Sequence, residues 1–334
     1  MAHDPFLAQS QDQGGPAVPQ LQPGQLLFNR RYELKQLLGA GGMGVVWLAM
    51  DHTEEIEVAL KFLPSVLVLQ EREMQRLREE VRAGKELRHP RLVGTYGMEA
   101  ADGLAAIVME YVPGQTLQQR LESVPQGFFE PDQITDWVTD ICDGLVYLHG
   151  EARRVHRDLK PANVIVDLQG RARLMDFGIS HRIKEGVTRH TKAAEVQAAT
   201  TSSNTLAYAS PQQLDGKPSI AADDIYGLGA LIYELLTSTP PFFRGSAEVV
   251  AMQIRTAELT PMTDRREELL GEGIIASVGH AVSGTWETCV AGCLQKDREQ
   301  RFSLTQVRSC LSGAPTSFPA SKRSSKALLL AVFL

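Results

Sequence analysis

The sequence predicts an α+β protein of two lobes: a small antiparallel-sheet lobe with one main helix, then a larger, mainly helical lobe. Three observations carry that reading. Up to residue 112 the apolar residues fall in short strand-like runs, YELKQLLG, GVVWLAM, EVALKFL and AAIVMEYV. Within that stretch, residues 71–88 instead place Met74, Leu77, Val81 and Leu87 roughly on one side of a helix. Beyond PGQT at 113–116 the apolar spacing turns to threes and fours, through Ile134, Trp137, Val138, Ile141, Leu145 and Leu148. The later DIYGLGALIYELLT is apolar nearly all round, as a buried helix is.

Residues 1–29 read as a disordered extension, because the first 22 are rich in Gln, Pro, Gly and Ala with little periodicity. Order is expected near Tyr32, with the small lobe at 30–112, the large lobe at 113–312 and a linker with an apolar tail at 313–334. A chain of 334 residues is long enough for two cores. With 34 Lys and Arg against 40 Asp and Glu, its net charge of −6 excludes the basic field that a nucleic-acid polymer would need.

Cys142, Cys289, Cys293 and Cys310 are too scattered for a disulfide scaffold, and no His/Cys set has zinc-ligand spacing. Cys289 and Cys293 read as small helix residues rather than a redox pair, and a reducing cytoplasm is the expected compartment. The N-terminus lacks the basic start and apolar run of a secretory signal. At 327–334 eight apolar residues follow a basic SKRSSK, too few to cross a bilayer and read as a sticky tail or the first part of a membrane helix.

The chemistry is concentrated in a few strings. In LGAGGMGVVWLA, Gly39, Gly41 and Gly44 keep a GxGxxGxV spacing between two strand-like runs, so that backbone amides of a tight hairpin could approach phosphate oxygens. A dinucleotide fold would want a helix straight after Gly44, whereas Val45, Val46 and Trp47 read as strand. Lys61 ends VALK inside an otherwise apolar strand, and a lysine flanked by Ala59, Leu60 and Phe62 needs an anionic partner. Glu80, nine residues before His89, is the preferred one over Glu79. VHRDLKPANVIV at 155–166 and LMDFG at 174–178 set Asp158, Lys160, Asn163 and Asp176 at offsets that suit a phosphoryl-transfer loop and a metal carboxylate.

These motifs occur in the order found in eukaryotic-type (Hanks-type) serine/threonine protein kinases, and the chain resembles that family, its bacterial members above all, over residues 30 to 312. The resemblance implies the two-lobed protein kinase fold and transfer of the ATP γ-phosphate to Ser or Thr hydroxyls of proteins. It implies Lys61 on the α- and β-phosphates, tied to Glu80; Asp158 on the substrate hydroxyl; Lys160 on the γ-phosphate; and Asn163 and Asp176 on Mg²⁺, with Mn²⁺ as an alternative. Gly39, Ala40, Gly41, Gly42, Met43 and Gly44 would form the phosphate hairpin. Val46, Ala59, Glu110 and Val112 would enclose the adenine, beside Met109 as gatekeeper. Lys160 in its HRDLKPAN setting implies a Ser/Thr rather than a Tyr acceptor.

Arg157 would receive a phosphate from the segment after Asp176, where Thr188, Thr191, Thr200, Thr201, Ser202 and Ser203 are candidate acceptors and Thr205 is structural. A homodimer for phosphorylation in trans and a membrane tether beyond Leu334 are further expectations. Three departures stand out. Gln212 replaces the family glutamate that would pair with Arg301, though it keeps an acceptor; Gly84 weakens the helix carrying Glu80 by about 1 kcal/mol relative to alanine. Residues 257–285 match poorly and are expected to form an extra or altered helix. Ala162 argues against a taste for arginine-rich peptides, with Glu234 as the group that would attract one. A pseudokinase scaffold and a small-molecule phosphotransferase are the rival readings; the presence of Lys61, Asp158 and Asp176 opposes the first, the APE-like segment and DIYGLG the second.

Overall fold

The computed structural model describes residues 21–41, 44–176, 183, 206–314 and 316. The small lobe is one antiparallel sheet: β1 Leu26–Leu27, β2 Tyr32–Gly41, β3 Gly44–Asp51, β4 Ile56–Phe62, β5 Thr95–Ala101 and β6 Leu104–Glu110, in the order β1-β2-β3-β4-β6-β5. Strand alternation sends successive residues to opposite faces. Leu60 and Phe62 join Tyr32, Leu34, Trp47 and Val58 in one core, while Ala59 points with Ile107 and Met109 toward Met74, Leu77 and Val81. Those last three lie on α2 Glu71–Gly84, preceded by the single turn α1 Ser65–Val68.

Two expectations shift here. Order begins before Tyr32: Leu26–Leu27 forms the edge strand β1, Phe28 is buried and stacks on Phe62 with ring centroids 6.3 Å apart, and Leu34 N–H donates to the Gln25 carbonyl, so residues 21–29 pack onto the sheet and are not part of a disordered extension. The helix is also shorter than 71–88. Gly84 is its last residue, where the interior cost of glycine no longer applies in full, and a methyl there would meet only Thr95 at ordinary contact distance.

The large lobe opens with β7 Gly114–Thr116 and α3 Leu117–Ser123, which Thr116 and Gln119 start with a reciprocal capping box. Next comes α4 Pro131–His149, whose expected apolar stripe is buried at Ile134, Val138, Ile141, Leu145 and Leu148. β8 Val164–Asp167 and β9 Ala172–Leu174 form a second antiparallel sheet with β7. The helices α5 Pro211–Leu214, α6 Ala221–Thr237, α7 Ala247–Thr256, α8 Met262–Gly271, α9 Gly284–Cys293 and α10 Leu304–Leu311 complete the lobe.

α6, the helix expected from DIYGLGALIYELLT, is buried along its whole length from Asp223. α8 supplies the helix expected within 257–285. All four cysteines are buried, free and part of the large-lobe core, in keeping with their reading as small packing residues. No helix among the described residues is long and apolar enough to cross a membrane, and the run at 327–334 lies outside them.

The lobes are stitched together behind the cleft. Leu92 bridges Leu174, Val93 N–H donates to the Leu174 carbonyl at 2.8 Å, and Leu174 N–H donates to the Arg91 carbonyl at 2.8 Å. This fixes the segment leaving α2 against β9, the strand that leads into Asp176.

Candidate active site

Lys61 is the penultimate residue of β4, paired with Val46 on β3 and Ile107 on β6, and its side chain is only 5% exposed. Its ammonium donates to Asp176 Oδ2 at 2.6 Å, so the anion that justifies its burial comes from the other lobe. Asp176 takes a left-handed backbone conformation (φ 64°) just after β9, and its second oxygen, Oδ1, is buried with no hydrogen-bond partner among the described residues. An orphaned buried carboxylate oxygen is a natural cation ligand.

The HRD loop is held from below by Asp224, near the start of α6. Asp224 accepts from His156 N–H (2.7 Å) and Arg157 N–H (2.8 Å), and its Oδ2 lies 2.7 Å from His149 Nε2. His156 is fully buried, and that burial pulls its imidazole below the ordinary histidine range, so it is neutral. Its Nε2–H donates to the Met175 carbonyl at 3.1 Å and Nδ1 accepts from Asp158 N–H at 3.4 Å, joining the loop to the strand that carries Asp176.

At the mouth of this loop Asn163 Nδ2 donates to the Asp158 carbonyl (2.7 Å) and to Asp158 Oδ2 (2.9 Å), and Lys160 Nζ lies 3.4 Å from the same oxygen. With both amide hydrogens taken up and the backbone carbonyl accepting from Met175 N–H, the side-chain oxygen Asn163 Oδ1 is the group left for a cation. Asp158, Lys160 and Asn163 thus form one cluster, tied through the Met175 backbone to the strand end that carries Asp176, which in turn meets Lys61.

The hairpin expected to meet phosphate is the β2–β3 connection, with Gly39 opposite Val46, Ala40 opposite Val45, and Gly41 opposite Gly44. Gly44 has φ 120° and a methyl there would lie 2.1 Å from the Phe62 carbonyl oxygen, so only glycine fits. Gly42 and Met43 lie outside the described residues, as do the candidate acceptors Thr188, Thr191, Thr200, Thr201, Ser202 and Ser203 and the structural Thr205. Val46, Ala59 and Met109 share one apolar cluster, and Val112 is buried just beyond it. Glu110 turns its side chain away from them: its carboxylate accepts from Arg173 (2.6 and 2.7 Å) and from Gly94 N–H (2.9 Å). Burial would raise this carboxyl, but those bonds outweigh it and hold it below the ordinary range.

One expected contact is replaced. No Lys61–Glu80 ion pair forms among the described residues; Glu80 Oε1 instead accepts from Arg154 Nη1 at 2.7 Å. Lys61 has found its anion in Asp176, and Arg154, in the connection between α4 and the HRD loop, reaches α2 with a guanidinium. Arg154 has no periodic or motif signal in the sequence, which is why it escaped notice there.

The Gln212 departure is resolved locally. Gln212 Oε1 accepts from Arg301 Nη2 and its Nε2 donates to the Lys296 carbonyl at 2.7 Å. Glu234 is buried and accepts from Tyr208 Oη; burial pushes its carboxyl up to about 7. It is therefore not the free anion that would attract an arginine-rich peptide.

The model of the protein kinase domain family matches residues 32–310. The serine/threonine-protein kinase PknB of Mycobacterium leprae is 33% identical over 298 residues, covering 86% of this chain and 44% of that protein. PknB of Mycobacterium tuberculosis is 35% identical over 298 residues, with the same coverage of 86% and 44%. A probable serine/threonine-protein kinase of Streptomyces coelicolor is 33% identical over 300 residues, 87% of this chain and 41% of its own length. The chain thus spans less than half the length of these relatives. A match running from β2 through α10 takes in both lobes and every motif described above, and the chain belongs to the protein kinase domain family.

Proposed function

We propose that this chain is a serine/threonine protein kinase that transfers the γ-phosphate of ATP to protein hydroxyls. The observation that carries the proposal is the convergence of Lys61 from the small-lobe sheet with Asp176 at 2.6 Å, beside the Asp158–Lys160–Asn163 loop of the other lobe. Phosphoryl transfer asks mainly for positioning and charge neutralisation, which such a cluster supplies. Asp158 accepts or orients the acceptor hydroxyl proton, held in place by Asn163. Lys160 and Lys61 place positive charge on either side of the phosphates, and the Gly39–Gly44 hairpin supplies backbone amides. The orphaned Asp176 Oδ1 and Asn163 Oδ1 fit a divalent cation, and Mg²⁺ bound there would neutralise the phosphate oxygens.

Activation by phosphorylation of residues 188–205 is part of the same proposal. It is supported by Arg157, whose backbone is left-handed (φ 72°) and whose Nε is buried without a hydrogen-bond partner. Phosphorylation in trans within a homodimer and a membrane tether extending the 327–334 run belong to the same reading. Incubating the purified chain with labelled ATP and Mg²⁺ should place phosphate on Ser or Thr within 188–205. Lys61→Met should lower incorporation by about 10²-fold or more; equal labelling of both proteins would overturn the assignment.

The Arg154–Glu80 pair opposes the Lys61–Glu80 pair that the proposed active state needs. Arg154 is 32% exposed and Glu80 16%, so their pair is worth at most about 1 kcal/mol. Arg154→Ala should accordingly raise the initial rate of the dephosphorylated enzyme by about five-fold. An unchanged or lower rate would show that Arg154 does not restrain Glu80.

A further inference from the structure

Arg301 and Arg298 both reach Asp223, at the first turn of α6. The Asp223 carboxylate accepts from Arg301 Nη1 at 3.2 Å, from Arg298 Nη2 at 2.7 Å and Nε at 3.2 Å, from Ser210 Oγ at 2.7 Å and from Ile220 N–H at 2.8 Å. The side chain is fully buried, as is that of Arg301 to within 1%. A buried guanidinium needs a buried anion, and residue 212, being glutamine, brings only a neutral acceptor.

We propose that Asp223 is the relocated anionic partner of Arg301 in this chain, and that it positions helix α5 for protein substrates. Ser210, which Asp223 grips, is the N-cap of α5: its Oγ accepts from Gln213 N–H, and Gln213 Oε1 accepts from Ser210 N–H. Gln213 Nε2 then donates at 3.2 Å to the Arg157 carbonyl, adjacent to Asp158. α5 is therefore clamped between Arg301 and Arg298 through Asp223 on one side and the catalytic loop on the other. Asp223 touches no reacting atom; it acts through Ser210 and Gln213. Its role in substrate placement rests on the kinase reading above, whereas its electrostatic role does not.

The test compares the wild type with Asp223→Asn, Gln212→Glu and the double variant, reading melting temperature and the KM values for casein and for ATP separately. Asp223→Asn keeps the shape but removes the charge and turns one acceptor into a donor facing Arg298. The melting temperature should fall by about 5–10 °C and the casein KM rise about ten-fold, with the ATP KM within about two-fold of wild type. Gln212→Glu in the Asp223→Asn background returns a carboxylate to Arg301 and should recover about half of each loss. An Asp223→Asn protein that melts and transfers like wild type overturns the proposal, and so does a double variant no better than the single one, including one that fails to fold. Restored melting with an unmoved casein KM would overturn the positioning role. A wild type that phosphorylates no protein would refute the kinase reading, while the melting data still decide the relocation.

Discussion

Asp158→Asn should reduce phosphoryl transfer by about 10²–10⁴-fold while leaving the thermal melt where it is. The two halves of that expectation have separate causes. The loop around residue 158 is not held by the carboxylate's charge but by Asp224, which accepts the His156 and Arg157 amides, and by the Asn163 bond to the Asp158 backbone carbonyl. An asparagine oxygen still accepts from Asn163 Nδ2, so the loop keeps its shape. What disappears is the carboxylate proposed to orient and receive the acceptor proton, together with one negative charge beside Lys160. Measuring kcat with ATP and casein, alongside calorimetry, checks both halves. A rate within tenfold of wild type would remove Asp158 from the chemistry.

Arg266→Met should destabilise the large lobe by about 3–5 kcal/mol. Arg266 on α8 is among the most deeply buried large side chains, with a side-chain exposure of 1%. Its guanidinium donates to the carbonyls of Leu236 (2.6 Å), Phe129 (3.1 Å), Val278 (3.1 Å) and His280 (2.9 Å) and to Glu130 Oε2 (3.4 Å). It also lies 3.8 Å over the Phe128 ring. Burial draws its basicity down and Glu130 opposes the shift, so the charge is kept.

Methionine fills the volume but takes the donor away from four carbonyls on three segments, which would then be joined only by bonds such as Phe129 N–H to the Leu235 carbonyl and His280 N–H to Glu130 Oε1. Lysine, with three donors on a flexible stem, should recover little of the loss. Urea unfolding followed by tryptophan fluorescence reads the change; a loss below about 1 kcal/mol would mean that water replaces the guanidinium. α8 and the loop after it are organised by two buried cations, Arg266 and Arg265, together with the buried Met262, Leu269 and Ile275.

Where sequence and structure agree, short-range chemistry is responsible. Gly44 must be glycine because its φ and the Phe62 carbonyl admit nothing else, and that requirement shows in the spacing. Asp158, Lys160 and Asn163 work as a unit within one tight loop, so their offsets are local and readable. α4 was visible because a half-buried helix writes its burial into every third or fourth residue, and α6 because a fully buried one is apolar nearly all round. Where they diverge, the deciding partner is distant in the chain. Phe28 is ordered by a ring 34 positions away, so residues 21–29 look disordered by composition alone. Glu80 could be matched to Lys61 by type, but Arg154 competes for it from a segment with no pattern.

The amino-acid order by itself determined the two-lobed class, the positions of the glycine hairpin, the lysine strand, the HRD loop and the DFG aspartate, and hence the family. These follow from dihedral limits, periodicity and the donor sets that phosphate demands. Only the tertiary structure decided which charges meet: Lys61 with Asp176, Glu80 with Arg154, and Arg301 with Asp223 in place of a glutamate at 212. Charge pairing depends on distance in space and on burial, and several carboxylates of equal chemistry are available in the chain to each cation.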